Sequence, residues 1–240
     1  MATFQVVEGA PGQGKSLHTA REAKRLFERN LSWYKKGNPI RYILSNIKFS
    51  EEFEKFCTVD NICFIKYWSN IEDLTTSNDV DIIWDEIATE LDARNWTNLT
   101  AEVKRFLSQY RKRGIDIYAN TQDFSMVDQR ARLMISGVLS LKKIIGSRDL
   151  STTKPKPKRI WGVIIIRRVV NFRETAPDKK KFELIPTFMF IKKELVEIYN
   201  TRQDIPLGKA SPLKHEIRYC EHHLESGGEG NCNFCKISHT

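Results

Sequence analysis

The stretch "VEGAPGQGKS", residues 7–16, decides how the rest of the chain is read. Gly9 to Ser16 satisfy the pattern G-x-x-x-x-G-K-[ST] in full. The flanks agree with it. Residues 3–7 form a strand-like apolar run, and Ser16 to Arg29 place Leu17, Ala20, Ala23 and Phe27 at helical spacing. Set between a strand and a helix, Gly9, Ala10, Pro11, Gly12, Gln13, Gly14, Lys15 and Ser16 read as a nucleotide-binding phosphate loop. The glycines let backbone N–H groups turn toward phosphates, and the helix adds the partial positive charge of its amino end. Lys15 is expected to contact the β- and γ-phosphates of ATP, and the Ser16 hydroxyl to coordinate Mg2+.

Such a loop needs a second element to hold the metal and activate water. "VDIIWDE" (80–86) supplies one, a buried-looking strand ending in two carboxylates. Asp85 is the candidate for Mg2+ contact through its water shell, and Glu86 for the general base that polarises the attacking water. "RKRGIDIYANTQ" (111–122) supplies a third, a strand ending in Thr121-Gln122. Beside the phosphate-loop strand, its carboxyl end would open into the same crevice, where Gln122 can orient the water or report the γ-phosphate.

Apolar runs at Tyr42–Ile47, Ile62–Tyr67, Val80–Trp84 and Ile115–Tyr118 alternate with helical patterns. One helix carries the stripe Leu99, Val103, Phe106, Leu107 and Tyr110, with Gly114 placed to stop it. The alternation predicts an α/β fold with a largely parallel central sheet flanked by helices. The pattern changes after about residue 146. "STTKPKPKR" (151–159) reads as an exposed basic loop, and the runs Ile160–Val170 and Phe182–Ile191 suggest a C-terminal β-hairpin, followed by a short helix at Lys193–Tyr199. The expected units are a core over 1–146, a completing segment over 147–207 and a tail over 208–240.

Cysteine use separates the tail from the rest. Cys57 and Cys63 have apolar neighbours and read as reduced thiols, not a disulfide scaffold. "CEHHLESGGEGNCNFC" (220–235) instead offers Cys220-x-x-His223 and Cys232-x-x-Cys235, two close pairs of soft or borderline ligands that suit tetrahedral Zn2+. His222 is an alternative to His223, since their spacings differ by one residue.

The chain has 240 residues, 40% of them hydrophobic, enough to bury a core, and a net charge of +9 that favours a polyanionic partner such as DNA. Its longest apolar run, Trp161 to Ile166, is closed by Arg167-Arg168 and falls far short of the roughly 20 residues of a membrane span. With no secretory pattern at the start, a cytoplasmic location in a host cell, or association with a virion, is expected.

The phosphate loop near the start, the strand ending Asp85-Glu86, the Arg-rich helix end before Gly114-Ile115-Asp116-Ile117, and Thr121-Gln122 followed by "DFSMVDQRAR" together resemble the zonular occludens toxin-type P-loop ATPases. These include filamentous-phage assembly ATPases and are related to viral genome-packaging ATPases and bacterial DNA pumps. "FMFIKKELVEIYNTRQDI" (188–205) resembles the end of that domain, so the likeness covers about residues 1–205. The resemblance implies a P-loop NTPase fold and a homo-oligomeric ring in which an arginine completes the neighbour's site, with Arg113 favoured by its place just before the Gly114 strand and Arg130 and Arg132 as alternatives. It also implies capsid or assembly proteins as partners. Filamentous-phage assembly ATPases carry a membrane-spanning segment after this domain, and the present sequence has none; the cysteine-rich tail is a second departure. Three functions are therefore weighed: a DNA-translocating motor that packages a viral genome, an assembly or secretion ATPase acting on protein with a separate membrane partner, and a zinc-dependent binding protein with a nucleotide switch.

Overall fold

In the computed structural model the described residues are 2–92, 94–146, 162–173 and 180–198. The basic loop 151–159 and the Cys/His-rich tail lie outside them. β1 (Phe4–Glu8) leads through the phosphate loop into α1 (Lys15–Tyr34), β2 (Ile43–Ser45) and α2 (Glu51–Phe56). β3 (Thr58–Val59) and β4 (Ile62–Cys63) form a separate antiparallel pair. Then come β5 (Ile65–Tyr67), β6 (Asp81–Trp84), α3 (Ala88–Leu91), α4 (Ala101–Gln109), β7 (Asp116–Thr121) and α5 (Gln129–Met134). β8 (Gly137–Gly146), β9 (Gly162–Val169), β10 (Thr187–Ile191) and α6 (Lys193–Ile198) complete the described chain.

The sheet runs β10-β9-β8-β1-β7-β6-β2-β5. From β8 to β5 every neighbour is parallel, while β9 is antiparallel to β8 and β10 to β9. This is the expected α/β architecture, and apolar layers on both faces hold it. Ala20, Ala23, Leu26 and Phe27 of α1 pack with Ile43, Phe64, Ile65 and Ile83. On the other face Val103, Phe106, Leu107 and Tyr110 pack with Phe4, Val6, Ile82, Trp84 and Ile117. Burying each large side chain of this kind contributes roughly 1.5–3 kcal/mol. Val103, Phe106, Leu107 and Tyr110 of the stripe are thus the buried face of α4 and its end, while Leu99 precedes the helix and is half-buried; Thr100 caps the helix by accepting from the Val103 amide at 3.3 Å. Past its end Gly114 turns at φ +67°, where an added Cβ would lie 2.2 Å from Asp79 Oδ1.

Several boundaries differ from the sequence reading, among them the run Phe182–Ile191, of which only Thr187–Ile191 forms β10, and Ile115–Tyr118, which becomes Asp116–Thr121. α1 continues past Arg29 to Tyr34, and the run Ile62–Tyr67 divides into β4 and β5 at Phe64, whose ring is buried in the core. β8 was not marked by periodicity, because Lys142-Lys143 interrupt its apolar residues and its pairing with β9 shifts register between Lys143 and Ile145. It is a long strand with two roles, parallel to β1 over Gly137–Ser140 and antiparallel to β9.

Since β1, β7 and β6 run parallel, Glu8, Thr121 and Trp84 finish at one edge of the sheet, and Asp81 and Asp116 begin at the other. The amino edge is closed by charge pairing. Fully buried Asp81 accepts from Arg29 Nη2 at 2.5 and 2.6 Å, from Arg41 Nη2 at 2.8 Å and from Asn30 Nδ2 at 2.7 Å. Asp116 accepts from the same two arginines and, at 2.7 Å, from the Thr3 amide.

Candidate nucleotide site

The phosphate loop leaves the carboxyl end of β1 with Gly12 at φ +78° and Gly14 at φ +94°, a left-handed geometry natural to glycine. Gly14 is doubly constrained: a Cβ there would stand 2.2 Å from Ile164 Cδ1 of β9. Gln13 anchors the loop sideways, its Oε1 accepting from the Lys143 amide of β8 at 2.7 Å. At its start the Gly9 amide donates to the Thr121 carbonyl at 3.3 Å. Lys15 folds back over the loop and donates to the Gly9 carbonyl at 2.6 Å. Ser16 is the second residue of α1, half-buried; no side chain caps that helix and its first turn holds no acidic residue. Its amide dipoles are therefore left to favour an anion.

β7 lies between β1 and β6, so Thr121-Gln122 meets Asp85-Glu86 at the same edge. Glu86 Oε1 accepts from Thr121 Oγ1 at 3.2 Å and from the Gln122 amide at 3.1 Å. The Gln122 side chain is exposed. Glu86 adopts φ +49°, an uncommon conformation for a residue with a side chain. Asn120 holds it there: its Oδ1 accepts from the Glu86 amide at 3.0 Å, its carbonyl accepts from the Ile87 amide at 2.9 Å, and its Nδ2 donates to Thr19 Oγ1 at 3.2 Å. Asn46 fixes Asp85 in the same manner, through bonds of 2.7 and 3.1 Å to its amide and carbonyl. Neither asparagine was singled out from sequence; the available signal was an amide side chain at or just beyond the end of a buried strand.

Asp85 keeps some exposed surface yet is densely surrounded. Burial pushes its carboxyl above the ordinary carboxylate range, the neighbouring Glu86 charge adds to this, and the Asn120 amide and Lys15 ammonium oppose it. A cation near Asp85 would relieve that cost. The Ser16 hydroxyl and Asp85 carboxylate are hard oxygen donors, fitting Mg2+, which takes the remainder of its shell from phosphate and water. Among the described residues no cluster of three or more His, Cys, Asp or Glu side chains is arranged to hold a metal. The zinc candidates Cys220, His223, Cys232 and Cys235 lie outside those residues.

The arginine candidates separate in space. Arg113 precedes β7, at the amino edge, where it donates to the Thr75 carbonyl and lies 5.8 Å from the Phe106 ring centre. Arg130 and Arg132 sit on α5, in the return from the carboxyl end of β7 to the amino end of β8. Arg130 pairs with Asp128 at 2.9 Å and has a side chain 56% exposed, while Arg132 donates to the Val127 carbonyl at 2.7 Å. Within one chain, then, none of the three meets Glu86 through a hydrogen bond among the described contacts.

No family model and no curated protein sequence matches the chain. Solved structures similar to it include both groups that its motifs resemble. The N-terminal domain of zonular occludens toxin from Neisseria meningitidis is 16% identical, with a TM-score of 0.48 over 83% of this chain and 100% of that one. The genome-packaging NTPase B204 of Sulfolobus turreted icosahedral virus 2, in complex with ATP-gammaS, is 15% identical, with a TM-score of 0.43 over 80% and 97%. The flagellar accessory protein FlaH of Methanocaldococcus jannaschii is 10% identical, with a TM-score of 0.41 over 78% and 89%.

Proposed function

We propose that this protein hydrolyses ATP and uses the energy to move DNA, as a genome-packaging motor built from a ring of identical subunits. The observation that carries the hydrolytic reading is the placing of Glu86, one residue beyond Asp85, with Oε1 oriented by Thr121 and Gln122 at the edge where the phosphate loop emerges. In this reading Lys15 leaves the Gly9 and Ala10 carbonyls for the β- and γ-phosphates, and the loop amides hold the remaining phosphate oxygens. Ser16 and Asp85 would hold Mg2+, which supplies neutralisation of phosphate charge. Glu86 takes the proton of the attacking water, with Gln122 beside it to orient that water. A neighbouring subunit's Arg113, Arg130 or Arg132 would neutralise charge on the departing phosphate; Arg130 has a half-exposed side chain suited to reaching across.

The DNA reading rests on the net charge of +9, with Lys154, Lys156, Lys158 and Arg159 as candidate contacts to the track. No described helix is long and apolar enough to cross a membrane. ATP turnover measured with and without single- and double-stranded DNA at two salt concentrations tests the proposal. Stimulation by DNA that fades as salt rises is expected. Turnover indifferent to DNA would transfer the reading to an assembly ATPase acting on protein, and bound nucleotide without turnover would leave a switch. Glu86→Gln should retain ATP binding and lower turnover by about 10²–10⁴-fold. The tail is proposed to bind one Zn2+ through Cys220, His223, Cys232 and Cys235. Elemental analysis of protein purified without chelator should find about one zinc per chain, and less than about half an equivalent would remove that assignment.

A further inference from the structure

Glu8 is the last residue of β1 and the last before the phosphate loop. Its side chain is 4% exposed, and Oε2 accepts from Lys180 Nζ at 2.7 Å. The other oxygen, Oε1, is buried with no hydrogen-bond partner among the described residues. A buried carboxylate with an unmatched oxygen is costly, so one cation carries an unusual share of its compensation.

That cation is delivered from far along the chain. Val170 donates its amide to the Lys181 carbonyl at 2.8 Å, the Lys181 amide donates to Asn171 Oδ1 at 2.7 Å, and the Glu183 amide donates to the Arg168 carbonyl at 3.0 Å. The backbone around Lys180 is thereby clipped to the end of β9. Its side chain remains 43% exposed, and an ammonium on a four-carbon stem has three donors to distribute.

The pair adjoins the hydrolytic groups. Glu8 is the register partner of Thr121. Alternation from Phe4 and Val6 in β1, and from Ile117 and Ala119 in β7, puts both side chains on one face of the sheet. Thr121 in turn donates to Glu86. The Lys180 charge also reaches Asp123: burial pushes that carboxyl up, but hydrogen bonds from Ser125 and the charges of Lys180 and Arg132 outweigh it and hold the group low.

We propose that Lys180 is a nucleotide-contacting residue, its ammonium shared between Glu8 and the terminal phosphate of bound ATP, so that residues 180–186 leading into β10 respond to the nucleotide. This rests on the nucleotide reading of the phosphate loop. The loop begins at the residue after Glu8, so a triphosphate adds acceptors and negative charge beside an ammonium already oriented toward that point.

Hydrogen exchange over residues 180–186 of the full chain, with and without a non-hydrolysable ATP analogue, tests it. Nucleotide should slow exchange in the wild type and in Lys180→Arg, and leave it unchanged in Lys180→Met. Steady-state turnover of Lys180→Met should fall by about tenfold in kcat with little change in KM. Glu8→Gln, which frees the ammonium from its buried partner, should keep the nucleotide response. Loss of the response in Glu8→Gln would make the pair a structural tie and overturn the proposal, as would an undiminished response in Lys180→Met. The double variant Glu8→Gln/Lys180→Met removes both charges, keeps the measurement possible if the single Met variant folds poorly, and should show no response. Binding of a fluorescent ATP analogue is followed in the same samples. Wild-type protein that binds none overturns the nucleotide reading and this inference together, whereas binding without altered exchange overturns this inference alone.

Discussion

At the amino edge of the sheet Asp81 is fully buried and surrounded by donors from Arg29, Arg41 and Asn30; four residues later on the same strand path, at the carboxyl edge, Asp85 is crowded by Glu86 and its charge is disfavoured by burial. Both are aspartates in the "VDIIWDE" segment, and residue type does not distinguish them. Their surroundings do. One carboxylate is satisfied entirely by its own chain and contributes to holding α1, β2, β6 and β7 together. The other, with Glu86 beside it, sits where folding has placed adjoining carboxylates and exposed helix-end amides at one edge without complementing them fully. Polar groups left in that condition next to a loop built from glycines mark the edge that a ligand completes.

The contrast can be broken by experiment. Asp81→Ala would leave two arginines without their buried partner and should cost about 3–5 kcal/mol of unfolding free energy, read from denaturant midpoints. His18, buried one turn into α1 from the phosphate loop, should give the next largest effect. Burial chiefly, with Arg21 and Arg25 adding and Glu22 opposing, lowers its pKa from 6.5 to about 4. Its folded value lies below its unfolded one, so the neutral ring's contribution is complete above about pH 6.5 and is lost as pH falls toward 4. Between pH 7 and pH 5 this amounts to about 2 kcal/mol. His18→Gln should flatten the stability profile across that window, and an equally steep profile in the variant would remove His18 as the cause. Asp85→Ala should be the smallest, within about 0.5 kcal/mol of wild type or slightly stabilising, because the native state resists that charge. Should it destabilise the fold as much as Asp81→Ala does, the two edges do not differ in the way described.

The features legible in sequence were the local ones. Gly9–Ser16 announce themselves because a phosphate loop is a contiguous motif, and the stripe from Leu99 to Tyr110 because helical periodicity is contained within one short stretch of chain around α4. What sequence could not supply was adjacency. That β7 separates β1 from β6, bringing Thr121 and the Gln122 amide to Glu86, follows from strand pairing across more than thirty residues. β8 was hidden by Lys142-Lys143, of which Lys142 is exposed and Lys143 half-buried, next to a register shift in the pairing with β9. Asn46 and Asn120 look like ordinary polar residues until their amides are seen to clamp the Asp85 and Glu86 backbones. Lys180 belongs to a polar connection with nothing in its composition to tie it to Glu8, 172 positions earlier. Arg113 is held at the amino edge by the Thr75 carbonyl, a placing that its position just before Gly114 in the sequence does not reveal.

β1 has a temporal consequence as well. It precedes both of its sheet neighbours in the chain: β7, which pairs Phe4 with Ile117, and β8, which pairs Gln5 with Gly137. The side chain of Gln13 finds its partner 130 residues downstream. During synthesis this strand must therefore wait, with its apolar face uncovered, until β7 and β8, each more than one hundred residues downstream, have emerged, and slow folding through such distant pairings is the expected result. A nascent chain halted before Lys143 carries the whole motif as letters but has no wall against which to set it, so the capacity to grip a nucleotide should arrive late and abruptly in the life of each molecule.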